Sequence, residues 1–312
     1  MKYEMMDAKA IIGEVTAEEA EKDSTICVIS TDSAPRTGMG PFIKAHPDRY
    51  YECGIMEQGA MSVSSGLATT GKTPVFCAPA PFATARPFEM FKIDLGYMHQ
   101  NVKVIGRNCG FNYADLGPTH FGLEDMALVR LIPEVPVLAP CDASQLRGAM
   151  CAMLRYHGPV YLRVRTAPIA KIFDDEEFEI GKGKLIREGK DGAIIVTGEI
   201  LSNVLDAVEQ LTAQGLDLTV IAMPTVFPLD TELVKKAAAT GKVVTVEEHF
   251  VNGGLGSAVA EYCAESAPAR VKRLGVPMEY VYAGQNADLI HYCGLDAAGI
   301  AASVAEFLKE QG

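Results

Sequence analysis

Short apolar stretches of β-type composition alternate with helical patterns along the chain, and this alternation restricts the fold more than any other feature. In the first half, the apolar stretches cover residues 25–31, 73–78, 102–106, 136–139 and 160–165. The helical patterns between them cover residues 58–70, 83–98, 123–131 and 143–156. Because continuous apolar strands joined by helices are covered on both faces, this half is predicted to form a parallel sheet between two helical layers.

A charged, glycine-rich segment over residues 174–192 interrupts this rhythm and is predicted to be a linker with one edge strand. The alternation then restarts with a strand over 193–197 and continues to a final helix over 297–310. We therefore predict an α/β protein with two doubly wound domains. The larger domain, the linker and the smaller domain are expected to span, in order, residues 1–178, 179–192 and 193–312.

The composition argues against several classes of function. At 312 residues the chain is long enough for two domains with their own cores. Its net charge of −12 disfavours nucleic-acid binding, since proteins that bind phosphate backbones carry clustered Lys and Arg. No apolar run approaches the roughly 18 residues of a membrane span, and the N-terminus lacks signal-peptide features. The 8 cysteines include no C-x-x-C pair, so we expect a reduced, cytoplasmic protein without a structural metal.

One acidic residue, Glu57, stands between the apolar pair Ile55-Met56 and a run of small residues that ends at Gly71. The run is predicted to be a closely packed helix with the carboxyl group at its first turn. A carboxyl group in such a poorly solvated position can keep a proton and share it with a partner group. The alternative is a charge that simply favours the helix dipole.

Four short motifs occur in an order and spacing that point to one family. They are Gly54-Ile55-Met56-Glu57-Gln58, Gly117-Pro118-Thr119-His120, Ile132-Pro133-Glu134-Val135-Pro136-Val137, and Glu247-Glu248-His249 followed by Gly253-Gly254-Leu255-Gly256. From about residue 7 to its end, the chain resembles the C-terminal half of transketolase made as a separate subunit. The resemblance implies a thiamin diphosphate pyrimidine-binding domain followed by a smaller transketolase C-terminal-type domain.

The resemblance gives Glu57 a catalytic role. In the family, a carboxylic acid hydrogen-bonded to the pyrimidine of thiamin diphosphate drives its shift to an imino form, which removes the proton from the thiazolium C2. A half-buried acid that keeps a proton suits this task. The same resemblance places Phe82 against the pyrimidine, where an aromatic ring can stack, and Ile55 beside the cofactor. The alternative for Phe82 is an ordinary core position.

The family also holds the cofactor's diphosphate through a metal ion bound by a Gly-Asp-Gly motif, which this sequence lacks. The resemblance therefore implies a partner, an N-terminal-type transketolase subunit that carries this motif. That partner would hold Mg²⁺ or Ca²⁺, with thiamin diphosphate shared between the two chains. An α2β2 heterotetramer is the expected assembly.

His120 matches the family's histidine that contacts the donor ketose. Imidazole can hydrogen-bond a carbonyl or hydroxyl group and can move protons near neutral pH. The alternative is a helix-terminal histidine bonded to backbone. Asp32 is a further expected substrate contact, as is Asp115, one position before Leu116, where the family usually has Asp.

The acceptor's anionic group is expected to meet a cationic cluster. Alignment with the family's phosphate-binding positions gives Lys9, Arg36, Asn108 and one of Arg163 or Arg165. This set keeps most of the family's charge but not its Ser and His. Arginine can bind a phosphate or a sulfonate through two parallel hydrogen bonds. The alternative is that these cations form surface ion pairs, each contributing little.

The resulting expectation is a subunit of a split transketolase that moves a two-carbon ketol unit between sugar phosphates or similar anions. One alternative is the β-subunit of a 2-oxo acid dehydrogenase or a relative of deoxyxylulose phosphate synthase. Another is a non-catalytic partner that has kept the fold. The Gly-Pro-Thr-His motif disfavours the dehydrogenase, and the presence of both Glu57 and His120 disfavours a non-catalytic role.

Overall fold

The computed structural model describes residues 2–33 and 37–310. Its first half contains eight strands. They are β1 (Glu4–Met6), β2 (Ile26–Ser30), β3 (Tyr50–Glu52), β4 (Thr73–Pro79), β5 (Lys103–Arg107), β6 (Val137–Leu138), β7 (Val160–Val164) and β8 (Ile169–Lys171). The α-helices of this half are α1 (Ala8–Lys22), α2 (Gly40–Ala45), α3 (Glu57–Thr69), α4 (Ala80–Ala83), α5 (Phe88–Met90), α6 (Asp125–Arg130) and α7 (Ala143–Arg155).

The second half continues with strands and helices in alternation. Its strands are β9 (Lys184–Arg187), β10 (Gly192–Val196), β11 (Leu218–Ala222), β12 (Thr225–Phe227), β13 (Lys242–Phe250) and β14 (Arg270–Val276). Its helices are α8 (Leu201–Ala213), α9 (Thr231–Ala238), α10 (Leu255–Glu265), α11 (Asn286–Tyr292) and α12 (Ala297–Lys309).

Two large sheets organise most of these elements, as the alternation predicted, and β1 and β8 pair antiparallel as a separate two-stranded sheet. The first has seven strands in the order β12-β6-β7-β5-β4-β2-β3, and the second has five in the order β14-β13-β10-β11-β9. Strands β2, β4, β5 and β7 are buried at every residue, which explains their largely apolar sequences. The predicted α/β fold is confirmed, with two mainly parallel sheets, and the predicted edge strand is β9, which pairs antiparallel with β11.

The structure also differs from the sequence prediction at two places. Strand β12 lies in the second half of the chain but pairs antiparallel with β6 at the edge of the first sheet. The single helix predicted over residues 83–98 is wrong. It is replaced by α4, a turn, α5 and a π-helical segment, Phe91–Tyr97. Pro87 within that turn has no N–H group to continue a helix.

Buried polar contacts fix the two halves against each other. Glu248 accepts a hydrogen bond from the Phe111 backbone N–H at 2.7 Å, and His249 Nε2 accepts one from Ala127 N at 3.3 Å. The Gly284 N–H donates to Ala114 O at 3.0 Å, which ties a second-half loop to the segment that leads to His120. Among the described helices, none is long and apolar enough to cross a membrane.

Candidate active site

Glu57 is the first residue of α3 and follows β3 through a sharp turn. Gly54, in that turn, has a positive φ of 71°, a conformation that glycine adopts readily. The Glu57 side chain is only 4% exposed, and its Oε2 lies 2.8 Å from Nη1 of Arg86. The helix N-terminus is a favourable place for a carboxylate, and Arg86 adds a direct cationic partner.

Phe82 lies in α4, directly after β4, and is half-buried. The Arg86 guanidinium stands over its ring, with Cζ 3.9 Å from the ring centroid. The His120 ring contacts the same phenyl group edge to face, at a centroid distance of 5.1 Å. Phe82 is therefore the central contact of this group, with a cation on its face and an imidazole in edge-to-face contact.

His120 ends the 3-10 segment of the loop that connects β5 to α6. Gly117 in this loop has a φ of 75°, and a Cβ there would lie 3.3 Å from Ala283 of the second half. The His120 Nδ1 lies 2.9 Å from Thr119 Oγ1, and its ring also contacts Tyr113 at 5.9 Å. The loop thus places the imidazole against Phe82, and Ala283 of the second half lies next to the loop at Gly117.

The carboxyl ends of neighbouring strands bring these side chains together. Glu57 follows β3, Phe82 follows β4, and His120 lies on the loop after β5. In open parallel sheets, ligand sites gather at this edge. The structure therefore joins three predicted site residues, Glu57, Phe82 and His120, into one contiguous cluster.

Within the described residues, the other predicted side chains make no hydrogen bond to this cluster. Asp32 is exposed at the end of β2, and its N–H donates to Glu52 Oε1 at 2.7 Å. Asn108, after β5, is buried, accepts a hydrogen bond from Arg107 Nη1 and donates to Thr166 Oγ1, both at 2.6 Å. Ile55 and Asp115 are exposed.

The predicted cationic cluster is only partly available for a ligand. Arg163 has a 3% exposed side chain whose Nε lies 2.9 Å from Asp125 Oδ2 and whose Nη2 donates to two backbone carbonyls. A guanidinium so enclosed has little surface left for a ligand, which favours Arg165 of the two predicted alternatives and a structural role for Arg163. Arg165 is partly exposed; its Nη2 donates to Asn286 Oδ1 at 3.1 Å, and the Glu248 carboxylate raises its pKa.

Lys9 and Arg36 complete the predicted set. Lys9 is half-buried in the first turn of α1, where its carbonyl oxygen closely approaches Gly38. A Cβ at Gly38 would lie 2.0 Å from that oxygen, so the helix start and this loop are tightly packed. Arg36 lies outside the described residues.

Two contacts of the cluster were missed by sequence reasoning. Arg86 was not predicted to contact Glu57, and the structure shows the ion pair between them. Tyr113 was not predicted to contact His120. Its hydroxyl accepts a hydrogen bond from Arg107 Nη1 at 2.8 Å. The four-residue spacing between Phe82 and Arg86 was not a helical signal, because α4 ends at Ala83 and Arg86 lies in the turn that follows.

An aminopyrimidine ring would need a carboxyl group at one of its ring nitrogens and an aromatic face on which to stack. Glu57 and Phe82 converge on one position, because a single planar guanidinium, that of Arg86, contacts both. The residues present therefore fit a planar nitrogen-bearing ring.

The fold, with an acid and an aromatic ring at the carboxyl ends of neighbouring strands, is that of a pyrimidine-binding domain of the kind found in thiamin diphosphate enzymes. Residues 4–167 match the family model for the transketolase pyrimidine binding domain, and residues 181–300 match that for the transketolase C-terminal domain. The chain belongs to the transketolase family. The pyrimidine-binding domain implies thiamin diphosphate as the cofactor.

Similar proteins cover the chain over nearly its full length. It is 36% identical to one of the subunits of the apulose-4-phosphate transketolase of Phocaeicola vulgatus, over 99% of this chain and 100% of that protein. It is 37% identical to a 6-deoxy-6-sulfo-D-fructose transketolase subunit of Clostridium sp. strain MSTE9, over 83% and 81% of the two chains. A solved structure described as "Split gene transketolase, inactive beta4 tetramer" has a TM-score of 0.89 at 35% identity, covering 96% of this chain and 98% of that one.

Proposed function

We propose that this chain is the C-terminal-type subunit of a split, thiamin diphosphate-dependent transketolase. The complex would transfer a two-carbon ketol unit from a ketose to an aldose acceptor. The observation that carries the proposal is the convergence of the Glu57 carboxylate and the Phe82 ring on one position, beside the His120 imidazole. Similarity to two proteins named as transketolase subunits, over 99% and 83% of this chain, supports it.

The proposed chemistry gives each residue a defined task. When bound, thiamin diphosphate supplies the electron sink for cleaving the bond next to the ketose carbonyl. Glu57 would hold a proton on its carboxyl group for the pyrimidine nitrogen, in a site with little water. Phe82 would stack on the pyrimidine and keep it in register with Glu57. His120 would hydrogen-bond the oxygen of the donor and accept or return its proton.

The partner subunit is proposed from sequence and surface together. This sequence lacks the Gly-Asp-Gly motif through which the family holds metal and diphosphate. Large apolar side chains are exposed in the turn before α3, in the middle of α3 and on the adjoining π-helical segment: Ile55, Met56, Val63, Ile93 and Tyr97. An exposed apolar face of this kind is typical of a protein interface. We propose an α2β2 assembly in which the partner covers this face and holds Mg²⁺.

The proposed substrates are anionic sugars. The names of two relatives specify a phosphate ester and a sulfonate. In this chain, Lys9, Arg36, Asn108 and Arg165 are the proposed contacts for the anionic end, with Asp32 and Asp115 proposed for hydroxyl groups. Lys9→Ala should raise the acceptor KM and spare the half-reaction with donor alone, because only the second half-reaction uses the acceptor site.

The experiment that tests the proposed function requires both chains. This chain and a partner with the Gly-Asp-Gly motif are purified separately, mixed with thiamin diphosphate and Mg²⁺, and assayed with pairs of phosphorylated or sulfonated ketoses and aldehydes. We expect ketol transfer only in the mixture. Decarboxylation of a 2-oxo acid with no ketol transfer would instead assign the complex to the 2-oxo acid branch.

A further inference from the structure

Arg86 makes two contacts that would also be needed by the cofactor's pyrimidine. Its Nη1 lies 2.8 Å from Glu57 Oε2, and the centre of its guanidinium plane stands 3.9 Å from the Phe82 ring centroid. A planar group with N–H donors, paired to the carboxylate and stacked on the phenyl ring, has the main features of an aminopyrimidine in this site. The guanidinium and the pyrimidine cannot occupy that position together.

Pairing with Arg86 and binding of the pyrimidine require different protonation states of the Glu57 carboxyl group. The ion pair with Arg86 uses a charged carboxylate. A hydrogen bond donated to the pyrimidine nitrogen requires a proton on the same carboxyl group. A Glu57 held by Arg86 is therefore in the wrong state for catalysis as well as blocked in space.

The position of Arg86 allows it to leave. It lies in the turn between α4 and α5, and its side chain is 38% exposed. Across the part of the chain that the structure describes, Glu57 is its one hydrogen-bonding side-chain partner. Rotation of the side chain outward would break one ion pair and one stacking contact without disturbing a strand or a long helix.

We propose that Arg86 fills the pyrimidine position in the cofactor-free protein and is displaced when thiamin diphosphate binds. The inference rests on the proposed function, since it assumes that this site takes the pyrimidine. It makes Arg86 an intrinsic competitor of the cofactor. The free protein keeps its buried carboxylate paired, and the cofactor binds only to the fraction of molecules in which the arginine has moved.

The test is calorimetric titration of thiamin diphosphate, with Mg²⁺ at saturation, into the assembled two-chain complex. Wild type is compared with Arg86→Ala, Arg86→Lys and Arg155→Ala. Arg155 is the matched control, because its exposed guanidinium likewise pairs with a buried carboxylate, that of Glu19, at 2.8 Å. That pair lies at the end of α7, which leads to the opposite edge of the sheet. Size-exclusion chromatography confirms assembly for every variant.

Arg86→Ala is expected to tighten cofactor binding about tenfold, which corresponds to an open form that is about a tenth of the free population. Arg86→Lys should give an intermediate Kd, because lysine keeps the charge but has no plane to stack on Phe82. Arg155→Ala should leave Kd unchanged. A second readout is the melting temperature of this chain without its partner. It should be lower in Arg86→Ala than in wild type, because the variant leaves the buried Glu57 carboxylate unpaired.

Two results would overturn the inference. Weaker cofactor binding in Arg86→Ala would show that the arginine supports the bound state. An unchanged Kd would show that it does not compete. If the wild-type complex itself bound no thiamin diphosphate, the proposed function would fail before the arginine could be judged, so the two failures are distinguishable.

Discussion

The rings of Phe82 and His120 contact each other edge to face, with centroids 5.1 Å apart and an interplanar angle of 70°. The phenyl group proposed to carry the cofactor is thus the same one that locates the imidazole proposed to contact the sugar. This contact couples the two binding events through one side chain. A shift of Phe82 would misplace both, and misplacement of reacting groups by about 1 Å can cost on the order of 10²-fold in rate.

Replacing His120 should separate its role from that of a packing ring. His120→Asn keeps a hydrogen-bonding group but removes proton transfer, so kcat/KM for the donor should fall about 10²–10⁴-fold. The cofactor Kd should change little. His157→Asn, at an exposed position, is the control and should retain activity. Steady-state kinetics of the assembled complex gives kcat/KM and calorimetry gives the Kd, and full activity in His120→Asn would remove the residue from the mechanism.

The free chain should bind thiamin diphosphate weakly and show no ketol transfer. The expectation follows from the proposal that metal and diphosphate are held by the partner. Calorimetry of the purified chain with cofactor and Mg²⁺ is the measurement. Tight binding to this chain alone would contradict a site shared between two chains.

The buried pair between Arg163 and Asp125 should matter for stability and not for acceptor binding. Its atoms are 2.9 Å apart and both side chains are almost fully enclosed. Arg163→Leu leaves Asp125 uncompensated, and removing one partner of a buried pair costs about 3–5 kcal/mol. Arg147→Ala, at an exposed pair with Glu18, should cost about 0–1 kcal/mol. Urea unfolding measures both, and an unchanged midpoint in Arg163→Leu would contradict the structural assignment.

His249 should give the domain contact a dependence on pH. Burial lowers the pKa of His249 from 6.5 to about 4, so the folded protein holds it neutral, with Nε2 accepting from Ala127 N. Its stabilisation is present above pH 6.5 and is lost as pH falls toward about 4. The difference in pKa corresponds to about 3 kcal/mol.

A comparison of variants isolates this effect. Burial raises the pKa of neighbouring Glu247 to about 7, and that group has the opposite slope, losing stability as pH rises. His249→Gln keeps a neutral donor and acceptor but does not titrate. Melting temperatures of wild type and variant should therefore converge as the pH is lowered, because wild type loses more stability than the variant. Parallel curves would contradict the assignment.

Patterns along the chain predicted most of the fold. Strands such as β2 and β4 are dominated by apolar residues and buried at every position, so a parallel sheet was evident from the sequence. The pairing of strand β12 was not evident from the sequence, because its partner β6 lies far away along the chain and only the tertiary structure joins them. The broken helix around Pro87 shows a similar limit, since local sequence favoured one continuous helix and packing produced short segments.

Site residues that lie in a sequence motif could be predicted, whereas pairs formed only by tertiary contacts could not. Glu57, Phe82 and His120 each lie in a stretch that resembles the family. The pair between Glu57 and Arg86 joins residues 29 positions apart, and no local pattern specifies it. The burial of Arg163 was hidden for a different reason. Within a strand, a charged residue can face solvent, a ligand or a neighbouring domain, and the choice depends on what packs against that face.

The catalytic role proposed for Glu57 is measured by exchange of the thiamin diphosphate C2 proton, followed by NMR in the assembled complex. Wild type is compared with Glu57→Gln and with Glu89→Gln, which changes an exposed carboxylate in α5. We expect Glu57→Gln to fold and assemble but to slow exchange about 10²–10⁴-fold, because the amide cannot supply the carboxyl proton. Glu89→Gln should behave as wild type. An unchanged exchange rate in Glu57→Gln would show that this residue is only a charge at a helix end.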